Sequence, residues 1–327
     1  MDEVDRKILF YLDVNSRYSV KEIAKLIGEK SEKINYRVKK LIKDKTIRRC
    51  YSEINPWKTG YTSFKVNFQF QGVDKEKLNE MYNFLLANCN VGWVATCLGR
   101  WDMVVEIMAR DRYEFIKYYS RFHSKYYEHI LFKVVGVTLE RIFINKKWLS
   151  PDFPQINTSY MEGKPEKLVD SKDFRILRHL IDHGRDSVKN MSMELKMPAT
   201  TISQRINNLV KKGVITNFRI DVDLKKLNKV YAKSFIYFSD ASTSNQKQLI
   251  DHCIAHPDVI FLTKCIGPWD MEIEAHTNSF NEFTQLMNDL RNKFPGVIRN
   301  FEAVLINKEE GASFIPREDP DKAGAKK

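Results

Sequence analysis

Cys97-Leu98-Gly99-Arg100-Trp101-Asp102-Met103 returns as Cys265-Ile266-Gly267-Pro268-Trp269-Asp270-Met271, an offset of 168 residues. Glu106/Glu274, Glu114/Glu282 and Phe115/Phe283 follow in the same register. Upstream, the same offset lays residues 5–47 over residues 173–215 without a gap. It pairs Asp5 with Asp173, Ile8 with Ile176, Arg17 with Arg185, Ser19 with Ser187, Arg37 with Arg205 and Ile47 with Ile215. A long period with few insertions means two copies of one folding unit, not a solenoid of short repeats.

Each copy opens with helical spacing. Val4, Ile8, Leu9 and Leu12 form an apolar stripe, and Ser19 with Glu22 three residues on is a capping box opening a short helix that Gly28 stops. Ser31 is read as the cap of a third helix burying Ile34, Val38, Leu41 and Ile42. In the second copy Ser187 caps the middle helix, Thr200 or Thr201 begins the third, and Gly213 ends it. Three short helices with a tight turn before the last make a helix-turn-helix, and the extended segments 47–54 and 214–222 resemble its wing.

Beyond each helical block the period changes to two. Phe64, Val66, Phe68 and Phe70 alternate as a strand with one buried face. Together with the segments that follow, the order is βαββαβ, the ferredoxin-like arrangement, in both copies. About six extra residues near 132–137 make the last strand of copy one longer or bulged. The fold class is therefore α+β. Its expected boundaries are 1–60 and 169–228 for the helix-turn-helix units, 61–150 and 229–308 for the ferredoxin-like units, 151–168 for a linker and 309–327 for a disordered tail.

The chain has 327 residues and a formal charge of +12. Nine basic against two acidic residues fall within 30–49, and four basic with no acid within 198–219, so 11 of the 12 net charges arise in two corresponding segments. Such focus suits an anionic polymer. No run reaches the roughly 18 to 20 apolar residues of a membrane span, and the acidic N-terminus does not read as a signal peptide, so a cytoplasmic location without membrane attachment is expected. The five cysteines are scattered and lack C-x-x-C spacing, which argues against disulfide staples and a zinc knuckle.

These features together resemble the leucine-responsive regulatory protein/AsnC (Lrp/AsnC) family of transcription regulators, whose second domain is called RAM. The carriers are Asp5-Arg6-Lys7-Ile8-Leu9 with Asp173-Phe174-Arg175-Ile176-Leu177, the stretch from Thr201 to Ile215, and the turns Gly99-x-x-Asp102 and Gly267-x-x-Asp270. Members usually carry one copy in about half this length, so the tandem chain implies a built-in pseudo-dimer. Copy one departs in having Lys45 where copy two has its stop glycine, and Trp101 and Trp269 are bulky for a turn that lines an effector pocket in relatives.

The resemblance implies double-stranded DNA as partner, an amino-acid effector, no cofactor, no catalysis, and homo-oligomers formed through the RAM sheets. A recognition helix places its N-terminal and outward residues against base edges. In copy one these are Glu32, Lys33, Asn35 and Tyr36; in copy two Ala199, Thr200, Ser203 and Gln204, beside Thr201. Asn and Gln suit adenine, Lys suits guanine, and Ala or Thr methyls suit thymine. Lys40, Lys43, Lys211 and Arg219 are phosphate candidates. Arg37 and Arg205 either reach phosphate or brace the bundle through Asp5 or Asp173. An effector site would use Gly99, Arg100, Asp102, Gly267 and Asp270, although both aspartates also read as turn-formers.

Two other classes stay open. Siroheme decarboxylases share the AsnC-like architecture, but the strands here, Val94-Ala95-Thr96-Cys97 and Leu262-Thr263-Lys264-Cys265, lack their histidine. The other class is a pure ligand-sensing scaffold. His252 and His256 have the i, i+4 spacing of a metal face but no Glu between them, so no metal is expected. Cys97 and Cys265 read as core thiols.

Overall fold

The computed structural model describes residues 1–88, 90–150, 157–239, 242–311 and 314–316. Copy one contains α1 (Glu3–Val14), α2 (Val20–Ile27), α3 (Ser31–Lys43), β1 (Ile47–Ile54), β2 (Thr62–Phe70), α4 (Lys75–Leu86), β3 (Val91–Gly99), β4 (Met103–Ala109), α5 (Arg112–Tyr126) and β5 (Ile130–Ile144). A strand β6 (Thr158–Glu162) follows. Copy two contains α6 (Ser171–Asp182), α7 (Val188–Leu195), α8 (Ala199–Lys211), β7 (Ile215–Val222), β8 (Val230–Phe238), α9 (Thr243–Ala255), β9 (Val259–Ile266), β10 (Met271–Thr277), α10 (Phe280–Lys293) and β11 (Ile298–Gly311). No helix among the described residues is long and apolar enough to cross a membrane.

The capping box at Ser19 forms in full, its hydroxyl accepting from Glu22 N at 3.2 Å and Glu22 accepting from Ser19 N at 2.7 Å. Ser187 likewise accepts from Asn190 N. Two caps move by one or two positions. Ser31 is already the first helical residue behind Lys30, and α8 starts at Ala199 behind Pro198, whose fixed φ suits a helix entry. The left-handed stop positions exchange residue types between copies. Gly28 (φ 78) corresponds to Lys196 (φ 50), and Gly213 (φ 65) to Lys45 (φ 57). Each copy thus carries one lysine in a conformation that glycine adopts without steric penalty.

The extended segments read as wings pair with each other. β1 and β7 form an antiparallel ribbon that joins the copies. Each three-helix core closes on the other copy's strand: Ile220 and Val222 complete the core of α1–α3, and Ile54 that of α6–α8. The crossing contacts are reciprocal. Arg17 donates to Gly184 O at 2.9 Å and Arg185 donates to Ser16 O. Lys58 donates to Lys212 O at 2.7 Å and Lys226 donates to Asp44 O, so each third helix, α8 and α3, has a cation from the opposite copy at its negative end. A Cβ on Gly184 would lie 2.8 Å from the backbone of Tyr51. Gly184→Ala is therefore expected to destabilise the chain by about 1–3 kcal/mol through overpacking, measurable as a lower urea midpoint.

Each βαββαβ unit has the strand order expected of the ferredoxin-like fold, β5-β2-β4-β3 and β11-β8-β10-β9. The two sheets then join edge to edge, β3 to β11 and β9 to β5, so eight strands close into a ring. α4 and α5 cover one half from outside, and α9 and α10 the other. Closure changes the reading of β2. Phe64, Val66, Phe68 and Phe70 form the expected apolar face, which packs on the helices, but the opposite face is buried too, with Ser63, Lys65 and Asn67 inside the ring. β5 carries a register shift at Thr138/Glu140, but β11 has the corresponding shift at Ile306/Lys308. The two strands run 15 and 14 residues from matching starts, so the extra length expected of copy one is corrected: the bulge belongs to both copies.

Two expected boundaries are corrected. Within the segment read as linker, Thr158–Glu162 pairs with β5 just past the point where β2 leaves that edge, because an unpaired strand edge presents donors and acceptors for pairing. Within the segment read as tail, Glu309–Gly311 continue β11 along β3, and Phe314 and Ile315 are buried. Residues 151–156 and 317–327 lie outside the described residues.

Candidate nucleic-acid interface

The apolar stripe decides which face of each third helix is free. Ile34, Val38 and Leu41 in α3, and Ile202, Ile206 and Leu209 in α8, are buried in their bundles. Ile42, read as buried, is 45% exposed, and so is its counterpart Val210, because the stripe has rotated off the bundle by the last turn. Glu32, Lys33, Asn35, Tyr36, Lys40 and Lys43 are exposed on α3. On α8, Ala199, Thr200, Gln204 and Lys211 are exposed, while Thr201 and Ser203 are half-buried. Lys33 is engaged by Glu29 one turn earlier.

Three arginine assignments resolve against phosphate. Arg37 Nη1 lies 2.8 Å from Asp5 and 2.6 Å from Asp2, and Arg205 Nη1 lies 2.7 Å from Asp173 and 2.8 Å from Asp170. These arginines brace the third helix against the first, and the carboxylates raise both guanidinium pKa values further. Arg219 is buried in the ribbon between Glu53 and Asp13, so it cannot meet a duplex. Its strand lies inside, between the two helical units, where the ribbon needs a charge opposite two buried acids.

The glycine turns are closed. A Cβ on Gly99 (φ 138) would meet Ala303 O at 2.8 Å, and one on Gly267 (φ 142) would meet Val135 O at 2.9 Å. Both positions need glycine because the last strand of the opposite copy passes directly over them. Asp102 accepts from Phe70 N and Asp270 from Phe238 N, each at 2.7 Å, so each aspartate ties its turn to the end of the neighbouring strand, β2 or β8, and not to its own turn backbone. Arg100 pairs with Glu302 at 2.8 Å. Trp101 and Trp269 point inward and, with Phe235, pack the interior of the ring. The geometry brings none of these five residues to the large cavity of the molecule.

The charged groups that sequence patterning missed lie inside the ring. Lys233 Nζ sits 2.8 Å from Glu272 and 2.9 Å from Glu274, Lys65 also pairs with Glu272, and Trp269 Nε1 donates to Glu272 at 3.0 Å. Arg141 pairs with Glu106 and donates to Ser63. Burial alone would raise Glu272, but Lys233 and Lys65 override it and hold the carboxyl at about 2. Burial pushes Arg141 down to about 10. The available signal was recurrence, since Lys65/Lys233 and Glu106/Glu274 repeat at the copy offset.

Burial lifts the thiols of Cys97 and Cys265 to about 12, which leaves them unreactive. His256 is the C-cap of α9, its Nδ1 accepting from Asp258 N at 3.2 Å, while His252 Nδ1 lies 3.3 Å from Lys293 Nζ. Among the described residues, His179, Asp186 and Glu194 place metal-capable atoms within 4.8 Å of one another. His179 bridges the two acids at 3.0 and 3.4 Å, and copy one has Tyr11, Tyr18 and Leu26 at those places.

An AsnC-type helix-turn-helix model matches residues 1–42, and a winged helix-turn-helix DNA-binding model matches residues 169–216. An uncharacterised HTH-type transcriptional regulator of Pyrococcus horikoshii is 27% identical over 132 residues, 40% of this chain and 88% of that protein. The HTH-type transcriptional regulator FL11 of Pyrococcus abyssi is 30% identical over 114 residues, 35% of this chain and 74% of that protein. Among solved structures, the siroheme decarboxylase NirDL superposes with a TM-score of 0.60 at 14% identity, covering 96% of this chain and 93% of that one. That likeness shows the same tandem fold.

Proposed function

The chain belongs to the Lrp/AsnC family of DNA-binding transcription regulators, and from that premise we propose that it reads two unlike half-sites with one polypeptide. The observation that carries this reading is a pair of solvent-facing recognition helices, different in nearly every outward residue and tied together by reciprocal contacts. α3 offers Lys33, Asn35 and Tyr36 to bases and Lys40 and Lys43 to phosphate. α8 offers Thr200, Thr201, Ser203 and Gln204 to bases and Lys211 to phosphate. With both heads on one side of the duplex, half-site centres lie about 34–36 Å apart or a multiple of that.

Footprinting on the adjacent upstream region tests this, and a mutant pair sharpens it. Gln204→Ala is expected to relax base choice at one position by about 1–3 kcal/mol. Lys211→Ala is expected to weaken all sequences alike and to lower the salt slope by about 0.9. Uniform loss in both variants would remove Gln204 from its reading role.

We read the protein as cytoplasmic and non-enzymatic. The whole-chain likeness to NirDL gives tetrapyrrole decarboxylation a structural footing as the second reading. Mixing the chain with siroheme decides it, because a spectral shift with release of carbon dioxide would favour that enzyme over a regulator. Homo-oligomers are supported by exposed Leu98 and Ile266 beside the glycine turns, with exposed Phe132, Val135 and Leu139 on β5. An amino-acid effector at Gly99, Arg100, Asp102, Gly267 and Asp270 would have to displace the crossing strands.

A further inference from the structure

A cavity of about 490 Å³ lies between the β1–β7 ribbon and one mouth of the ring. That volume is within the usual range for small-molecule sites. Its apolar surface mixes aliphatic side chains such as Ile144, Ile220 and Ile306 with aromatic rings: Tyr51 from the ribbon, and Trp93, Phe143, Tyr231 and Phe261 from the ring. Nine lysines and arginines line it against five acids, so the field inside favours an anion. Most of these cations are already matched. Lys225 at the rim is not, having no carboxylate partner among the described residues, and Arg48 has only a distant one, Asp223 at 3.7 Å.

His276 supplies an independent pointer. It lines the cavity, is 5% exposed, and its Nδ1 is buried without a hydrogen-bond partner among the described residues. Tyr231 and Trp148 pack edge-on against the ring at 5.2 and 5.8 Å, fixing it in place. Burial, reinforced by Lys146 and Lys229, holds it well below the ordinary histidine value and therefore neutral. An orphaned buried ring nitrogen costs about 1–3 kcal/mol unless something meets it. Glu309, raised to about 7 by burial and by Asp221, adds a carboxyl that is partly protonated near neutrality and able to donate to an anion.

We propose that this cavity is a binding site for a small anionic molecule with an aromatic body, of the aromatic carboxylate or sulfonate class. The aromatic body lies against Tyr51, Phe143 and Phe261, the anion faces Lys225 and Arg48, and a polar substituent meets His276. The site is distinct from the glycine turns and is walled by both copies. Because its ribbon wall joins the two recognition units, an occupant acts on their mutual placement; this consequence rests on the DNA-reading proposal, whereas the binding does not.

The test is a fluorescence titration of the full chain with 1-anilinonaphthalene-8-sulfonate, an aromatic sulfonate, with salicylate as competitor. Saturable enhancement at one site per chain, displaced by salicylate, is expected. Lys225→Glu should weaken it on the order of tenfold, and His276→Phe about fivefold. If His276→Phe fails to fold, the surface variant Lys225→Glu carries the test. Enhancement that does not saturate, or that is unchanged in Lys225→Glu, overturns the site. Gel retardation by the unmodified chain is scored separately, so loss of the DNA reading and loss of the cavity are distinguishable.

Discussion

Glu272→Leu is expected to lower the folding stability of the chain by about 3–5 kcal/mol, because it leaves buried charge without its counter-charge. Glu272 is fully buried and stands between Lys65 and Lys233, both within the ring. Leucine would set two ammonium groups facing each other with Glu274 alone to balance them. The denaturant midpoint reads the effect, and an unchanged midpoint would mean the interior network contributes nothing. The same residue sets an acid limit. Its folded value of about 2 lies below its ordinary 4.5, so its contribution is complete above pH 4.5 and drains as pH falls toward 2. Wild-type stability should therefore decline across that window more steeply than that of the variant.

Arg219→Met is expected to cost a similar amount, about 3–5 kcal/mol, for a different reason. Glu53 and Asp13 are both fully buried, and Arg219 pairs with Glu53, donates to Asp13 O at 3.2 Å and reaches Asn157 O at 3.4 Å. Asp13 keeps Lys146 at 2.7 Å, but Glu53 loses its cation. Urea unfolding should show the loss. Lys211→Ala should show the opposite division, weaker retardation of every duplex with an unchanged midpoint. If Arg219→Met behaved like Lys211→Ala, the arginine would be a phosphate contact after all.

Much of this architecture was written in local spacing. The period of 3.6 marked the recognition helices, the period of two marked β2, and the recurrence of Gly-x-x-Asp located both turns. Ring closure was not legible, because Lys65 between Phe64 and Val66 looks the same on a wet sheet face as inside a barrel. Only pairing between distant strands, β3 with β11 and β5 with β9, decides which it is. Arg37 and Arg205 show the converse. Their bracing role was readable from Asp5 and Asp173, which recur with them, but charge at the right helical phase also fits a phosphate contact. The strand at Glu309–Gly311 was hidden by composition, since charged residues followed by glycine resemble a solvated end.

The ring also fixes what would happen to a severed molecule. Cut between the copies, each half would present raw strand edges where β3 meets β11 and β9 meets β5, together with lysines and glutamates robbed of their opposite numbers. Such fragments would have to re-associate, mate with their own kind, or aggregate. Co-production of the two pieces, and not either piece alone, is the route to a well-behaved split version.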